Sequence, residues 1–488
     1  MVLDTDTGLS AAERPESRGT YDAPDSYVNI PEASGIPPIQ DRTESGRYDR
    51  HSLEQETSLD QEYITSHEQQ QQYPSQQQQY PSQQQQYPSQ QQQELGSPEI
   101  EEDGKKGRVT RVSRLATEIY TISYLILFSF FGTLARLGLQ ALTFYPGAPV
   151  AFSSVWPNFA GSLVMGFLAE DRKLFRNEWG VPTYELELLR AKGLAQDEEG
   201  GTSSPDQNQA PVDLAAAKKT HAATKKTIPL YIGLATGFCG SFTSFSSFIR
   251  DVFLALSNDM PMPDVGSATI PRNGGYSLMA LLAVVIGTIS LSLSGLFIGA
   301  QLAIALEPIT PSFPFVFTRK FLDRLAVFLA WGCWAGAIVL SVLPPDRFAK
   351  PGASEVWRGA ATFSLVFSPL GCLARFYISV ALNGRKSSFP LGTFVVNVFG
   401  TIVLGMSWDL AHVPLGGVIG CQVLQGIEDG FCGCLTTIST WVSELTSLRR
   451  HHAYTYGTAS VVVAFACMVA VMGGLRWNEG FAGLACLH

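Results

Sequence analysis

The stretch GFCGSFTSFSSF at residues 237–248, with its counterpart GFCGCLTTISTW at 430–441, decides how this chain folds. Both lie inside long apolar runs, 228–256 and 415–445, yet both are crowded with glycine and hydroxyl residues. Glycine is a poor helix former, and serine and threonine compete for backbone hydrogen bonds. In a bilayer, backbone freed from a helix must be bonded within the protein or line a cavity. Each stretch therefore predicts a membrane helix that breaks and resumes.

Working outward, other pairs fall into register. Gly132-Thr-Leu-Ala-Arg136 matches Gly371-Cys-Leu-Ala-Arg375, and Asn158, Gly161 and Gly166 match Asn397, Gly400 and Gly405, all at an offset of 239. The two broken stretches match at an offset of 193, so the first half carries 46 extra residues between its second and third apolar runs. The chain is an internal duplication.

A membrane helix needs about 20 mostly apolar residues. Candidates are 119–144, 150–169, 228–256, 276–304, 321–343, 357–382, 388–411, 415–445 and 455–475. Four belong to each half, and 321–343 lies between them. Four is even, so the added span turns the second half upside down relative to the first. The expected fold is an all-α polytopic membrane protein of two inverted four-span repeats joined by one linker span, nine transmembrane helices in all, with the third helix of each repeat broken. The segments are a tail at 1–114, a first repeat at 115–305 with a polar cytosolic loop at 170–227, a linker at 306–350 and a second repeat at 351–488. Inverted repeats place transport sites at their interface, where interrupted helices present backbone dipoles.

Charge agrees with this topology. The formal net charge is -9, but residues 1–104 alone hold 20 Asp/Glu against 5 Lys/Arg, while the remainder holds 23 against 29. With the N-terminus cytosolic, inside segments carry 21 Lys/Arg and outside segments 6, the asymmetry expected of cytoplasmic loops. The C-terminus is then outside. From Gln69 to Gln93 the unit QQQQYPS recurs every seven residues. Proline in each unit and the lack of an apolar seam exclude a coiled coil, and the segment reads as disordered. The first apolar run starts only near Ile119, so no secretory signal is expected.

No basic, aromatic-interleaved domain stands apart to bind nucleic acid. The eight cysteines lie mostly in apolar runs, and Cys432 and Cys434 form CxC without a flanking histidine. They read as small packing residues rather than a metal or disulfide set. Four of seven histidines fall in tail, loop or terminus and the rest at span ends. No Ser-His-Asp set, HExxH or Walker loop is present, so an enzyme is not expected.

The residues able to carry chemistry are those costly to bury in lipid. Arg136 and Arg375 lie within apolar spans at matching positions, where they attract an anion or tie down carbonyls at helix ends. Asn158 and Asn397 each bring two amide donors to a helix followed by glycines that permit close approach. They are interhelical glue or ligands for a dehydrated anion. Phe245 and Phe248 share a face if the helix resumes, and a phenyl edge is electropositive. Acidic residues fall near span ends, with Glu428 and Asp429, just before the second break, the main candidates for a titrating relay.

In combination, GxLAR, NxxG(x4)G and GFCGSFTSFSSF resemble the fluoride channel/exporter family, also known as camphor-resistance proteins, over about residues 115–475. The four-one-four duplication resembles its fungal members. Bacterial members are four-span subunits forming antiparallel dimers with two narrow pores, so the resemblance implies a dimer fused into one chain, a monomer in which Asn158 and Asn397 are pore asparagines. It also implies paired ring-edge contacts from Phe245 and Phe248, and Arg136 and Arg375 near the pore vestibule. A hydroxyl track would run along Tyr456, Thr458 and Ser460, with Tyr276 a weaker match in the first half. A central structural sodium ion would sit on carbonyls of Gly240, Thr243, Gly433 and Thr436. The second half departs from the pattern, with Ile438 and Trp441 at the phenylalanine positions, so the two pores are not equivalent and one of them is a candidate for a vestigial pore.

The implied function is a fluoride-selective channel in the plasma membrane, with fluoride and the lipid bilayer as partners, exporting the anion down its electrochemical gradient and giving fluoride resistance. The rivals are a proton-coupled fluoride or small-anion exporter and a membrane scaffold without transport.

Overall fold

A computed structural model describes residues 114–150, 152–176, 221–261, 272–343, 358–413, 417–484 and 486. The tail at 1–113, with its QQQQYPS repeats, and most of the 170–227 loop lie outside the described residues. Among the described residues the structure is helical, with no strand.

In chain order, α1 is Arg114–Thr143 and α2 is Val155–Glu170. The third segment begins with α3 (Pro229–Ile232), whose proline sits in the first turn where it has no helical donor to lose. It passes through a π-helical stretch (Gly233–Cys239) into α4 (Gly240–Phe242), breaks, and resumes as α5 (Phe245–Ser257). Next come α6 (Gly274–Ala305), α7 (Asp323–Val342), α8 (Ser364–Leu382) and α9 (Leu391–Ala411). The eighth segment repeats the third: α10 (Gly417–Gly426), a π-helical stretch (Ile427–Cys432), α11 (Gly433–Leu435), a break, and α12 (Ser439–Ser447). The chain closes with α13 (Arg450–Asn478).

Seven of these segments are long and apolar enough to cross a bilayer, so the chain is a multi-pass membrane protein. The other two expected spans are helical as well but fall short of that measure. α2 has 16 residues, fewer than the about 20 a spanning helix needs, and the 417–447 segment is divided by its break.

The broken segments are the best buried, whereas α6, α7 and α13 keep most of their apolar surface outward, as lipid-facing helices do. α7 is pinned against α1 by Tyr124, whose hydroxyl donates to buried Asp323 (2.9 Å), and by Trp331, whose indole donates to Ser123 (3.3 Å). The α2–α6 contact is close enough to exclude side chains. A Cβ on Gly166 would lie 2.0 Å from the Leu296 carbonyl oxygen, and one on Gly299 would lie 1.9 Å from that of Leu163. The end of α2 is capped by Lys225, whose Nζ donates to the carbonyls of Leu168 (3.0 Å), Ala169 (3.1 Å) and Asp171 (2.6 Å), a cation where the helix dipole favours one. Burial raises the Asp171 carboxyl above the usual carboxylate range, while Lys225 pulls it down.

Two cysteines correct the expectation that all eight are packing residues. Cys421 in the middle of α10 and Cys486 near the C-terminus form a disulfide across 65 residues. The returning terminus is held further by the Ala482 N–H on the His412 carbonyl (3.2 Å) and by Phe481 against the His412 ring. Disulfides persist in oxidising compartments. A reductant applied to the purified protein is expected to make Cys421 and Cys486 newly reactive to alkylation. Alkylation of Cys421 and Cys486 before reduction, mapped by peptide and set apart from exposed Cys333, would remove the bridge.

Candidate functional site

The two breaks are buried, meet and complete each other. Thr243 and Thr436 leave the helix in extended conformation (φ -94°, ψ 151° and φ -95°, ψ 154°). Each hydroxyl donates to a carbonyl four residues back, Cys239 (3.1 Å) and Cys432 (3.0 Å). Each then accepts from the opposite repeat: Thr243 from the N–H groups of Ile438 (3.2 Å) and Ser439 (3.1 Å), Thr436 from that of Ser246 (3.1 Å). The orphan N–H groups that open α5 and α12 are thus partly satisfied by the threonine of the other half, as an N-cap would do.

The asparagines hold the same breaks from the side. Asn158 Oδ1 accepts from the Ser244 N–H (2.8 Å) and its Nδ2 donates weakly to the Ser244 carbonyl (3.4 Å). Asn397 treats Thr437 likewise, at 2.9 and 3.2 Å. Both are fully buried. An amide carries two N–H donors, so each side chain has one donor beyond these bonds.

These diversions free particular carbonyls. In a helix the Gly240 carbonyl would accept from Ser244, and that of Thr243 from Ser247. Instead the Ser244 N–H goes to Asn158 and the Ser247 N–H to the Ser244 hydroxyl (3.2 Å). In the second half, the Thr437 N–H goes to Asn397 and the Thr440 N–H to the Thr437 hydroxyl (3.4 Å), which diverts the helical donors of Gly433 and Thr436.

The arginines take the neighbouring carbonyls. Arg136 donates to Ser241 (2.7 Å) in its own repeat and to Asp429 in the other. Arg375 donates to Cys434 (2.9 Å) in its own repeat and to Thr236 (2.6 Å) in the other. The four acceptors are equivalent pairs at the 193 offset. Each guanidinium lies over a glycine of the opposite repeat: a Cβ on Gly240 would be 2.3 Å from Arg375, and one on Gly433 would be 2.3 Å from Arg136. Of the two roles open to these arginines in the sequence, the bonds are those of carbonyl ties at helix ends.

Phe245 lies between Phe248 (ring centroids 5.7 Å, 79°) and Trp441 of the other repeat (5.5 Å, 67°), and all three are buried. α5 packs on α9 and α13, and α12 packs on α2 and α6, so two differently furnished walls flank the breaks.

On the Asn397 side, buried Glu444 accepts from the Tyr456 hydroxyl (2.6 Å) and from the Thr393 hydroxyl (2.7 Å), one turn before Asn397. Ser460 follows one turn after Tyr456 and donates to its carbonyl (2.7 Å). Glu444 was missed in the sequence, and its partners lie 51 and 12 residues away. The signal was its place three residues after Trp441, matching Asp251 after Phe248. Thr458 is not part of this track. Two residues on from Tyr456 it faces the opposite side of α13, exposed, because successive helical residues turn by about 100°. Tyr276 is 66% exposed at the start of α6 and also lies off the track.

On the Asn158 side, Asp251 accepts from the Ser154 N–H (3.4 Å) and is ion-paired to Arg250 (3.2 Å), which also lies over the Trp408 ring (5.3 Å). The buried stripe of α6 reads Val284, Thr288, Ser292 where α13 has Tyr456, Ser460, Ala464, so valine stands in the tyrosine's place. The hydroxyls of Ser154, Thr288 and Ser292 and the indole N–H of Trp441 are buried there without a protein partner.

The family model for "CrcB-like protein, Camphor Resistance (CrcB)" matches residues 123–300 and 362–475, the two repeats with their breaks. Fluoride export protein 1 of Neurospora crassa is 56% identical over 476 residues, 96% of this chain and 85% of that protein. Fluoride export protein 1 of Candida albicans is 34% identical over 77% of this chain and 85% of its own length. The fluoride-specific ion channel FluC of Acinetobacter baylyi is 29% identical over 113 residues, 22% of this chain but 86% of its own. No solved structure matches. A match that covers both repeats, together with these relatives, leaves one conclusion: the chain belongs to the CrcB-like, camphor-resistance family.

Proposed function

We propose that the protein is a fluoride-selective channel that exports fluoride from the cytosol down its electrochemical gradient. The observation that carries this reading is the pair of crossed breaks, each held by a buried asparagine with an amide donor to spare, in a chain whose relatives are named fluoride export proteins. A dehydrated anion needs such donors in a water-poor site. Expulsion needs no ATPase, since each 100 mV, inside negative, supplies about 2.3 kcal/mol per charge, roughly a fifty-fold concentration ratio.

The supporting architecture is nine spans in two inverted repeats, 115–305 and 351–488, joined by a linker at 306–350, in one self-sufficient chain. Support comes from the equivalent bonds of Arg136 and Arg375 and from the reciprocal threonine caps. The tail at 1–114 is cytosolic and disordered in this reading. An extracellular C-terminus fits the Cys421–Cys486 bridge, and the plasma membrane is the location proposed.

The carbonyls of Gly240, Thr243, Gly433 and Thr436 suit a structural sodium ion in kind. Their helical donors are diverted, and alkali and alkaline-earth ions take oxygen ligands. The ion would supply positive charge at the junction of the breaks.

Of the two walls, the conducting one is assigned to Asn397, with Thr393, Glu444, Tyr456 and Ser460 beside it and α5, bearing Phe245 and Phe248, packed against it. Across the interface, valine replaces tyrosine and Arg250 neutralises Asp251. A second reading, that the Asn158 wall also conducts, is favoured by the unpartnered donors there.

The test is fluoride release from proteoliposomes holding purified protein, clamped with a potassium ionophore and read by a fluoride electrode. Fluoride is expected to leave without chloride and without a proton gradient. A requirement for that gradient would move the reading to coupled export, with Glu428 and Asp429 the first suspects, and folded protein without flux would leave the scaffold. In the same assay Tyr456→Phe is expected to slow release at least tenfold, while Thr458→Ala, on the opposite face, leaves it unchanged. Equal effects would remove the track.

A further inference from the structure

An apolar groove of ≈ 660 Å³ lies between α6, α12 and α13. α13 lines it with Arg450, Ala453, Gly457, Val461 and their neighbours through Val462, a single helical face spanning twelve residue steps. At 1.5 Å per residue this is about 18 Å. α6 lines the other bank from Val285 to Phe297, again twelve residue steps. One leaflet is half of a hydrocarbon core of about 30 Å, so the groove has the length of one acyl chain lying along the bilayer normal.

Its mouth is cationic. Arg450 lines it, and Arg449 and His451 beside it are exposed. Tyr454, 77% exposed, stands one turn further in, at the depth where amphipathic rings gather at the membrane interface. Basic groups at the head of a leaflet-long apolar groove complement a lipid with a negatively charged headgroup. A peptide or a second copy of this chain would not need that combination of length and end charge.

We infer that this groove is a binding site for an anionic glycerophospholipid, its acyl chain between α6 and α13 and its phosphate on Arg449 and Arg450. The leaflet is the cytosolic one under the orientation proposed above. That leaflet carries the anionic lipids that attract basic segments. The floor of the groove is Trp441 and Leu445 of α12, and Trp441 touches Phe245 across the repeats. An occupant therefore bears on the ring cluster beside the breaks without entering it.

The test uses purified full-length protein in vesicles containing photoreactive lipids with the reactive group on the acyl chain, one sample with phosphatidylserine and one with phosphatidylcholine. After illumination, labelled peptides are mapped by mass spectrometry. Phosphatidylserine is expected to label the peptides spanning 439–462 at least fivefold more than phosphatidylcholine, while the outward face of α7 labels equally with both. R449Q/R450Q, on exposed positions outside the ion pathway, is expected to abolish the preference. T458W, which fills the groove from its rim, is expected to remove labelling by both lipids. Equal labelling by the two lipids in the wild type, a preference that survives R449Q/R450Q, or a dimer in native mass spectra that covers 439–462 would overturn the assignment. Fluoride flux is measured separately, so failure of the lipid site leaves the channel reading standing, and the reverse holds too.

Discussion

Asn397→Asp is expected to lower fluoride efflux about a thousandfold in proteoliposomes, while Asn158→Asp stays within about threefold of the parent. The substitution is nearly isosteric and keeps the carboxyl oxygen that accepts from the Thr437 N–H (2.9 Å), so the break should hold. What changes is the loss of the amide donors and the arrival of a negative charge. Two like charges about 4 Å apart at an effective dielectric of about 20 repel by about 4 kcal/mol, close to three decades in rate. Asn158→Asp adds the same charge to the wall where Arg250 already neutralises Asp251 and valine replaces tyrosine. Similar losses from both single variants would show that both walls conduct. A loss confined to Asn158→Asp would move the pathway to that side.

Gly433→Ala is expected to destabilise the protein more than any exposed change, by about 3–9 kcal/mol. The new methyl group would sit 2.3 Å from the Arg136 guanidinium, which is fixed by Ser241 and Asp429 and is not free to swing aside. Overpacking alone costs about 1–3 kcal/mol. Displacing the arginine strands buried carbonyls at about 1–3 kcal/mol each. Gly240→Ala should behave alike through Arg375. Gly138→Ala is the control, because a Cβ there meets nothing within 4 Å. The measurement is the thermal midpoint of monodispersity for detergent-solubilised protein. A Gly433→Ala midpoint equal to that of Gly138→Ala would contradict the packing described here.

Some of this site was legible because it is local. Apolar runs of membrane length, interrupted where glycine and hydroxyl residues cluster, specify helices that stop near Thr243 and Thr436. The offsets of 239 and 193 specify that whatever one half does the other repeats. The opposite faces of Tyr456 and Thr458 were also legible in principle, since helical periodicity alone separates positions two apart. Resemblance grouped them where geometry divides them.

The rest depends on partners far apart in the chain. Nothing near Arg136 says that its guanidinium will cover Gly433, and nothing near Glu444 says that Thr393 and Tyr456 will donate to it. Cys421 and Cys486 read as packing residues because each was weighed alone, and only the return of the C-terminus brings them together. The sequence by itself determined a duplicated, helical, multi-pass membrane protein with two interrupted segments, because hydrophobic length and helix breaking are properties of contiguous residues. The tertiary structure alone decided that the two interruptions cap each other, that the arginines tie carbonyls across the repeats, and that two walls built from matching asparagines differ. Those outcomes rest on satisfying buried polar groups, and in a membrane interior the partners come from wherever the fold brings them.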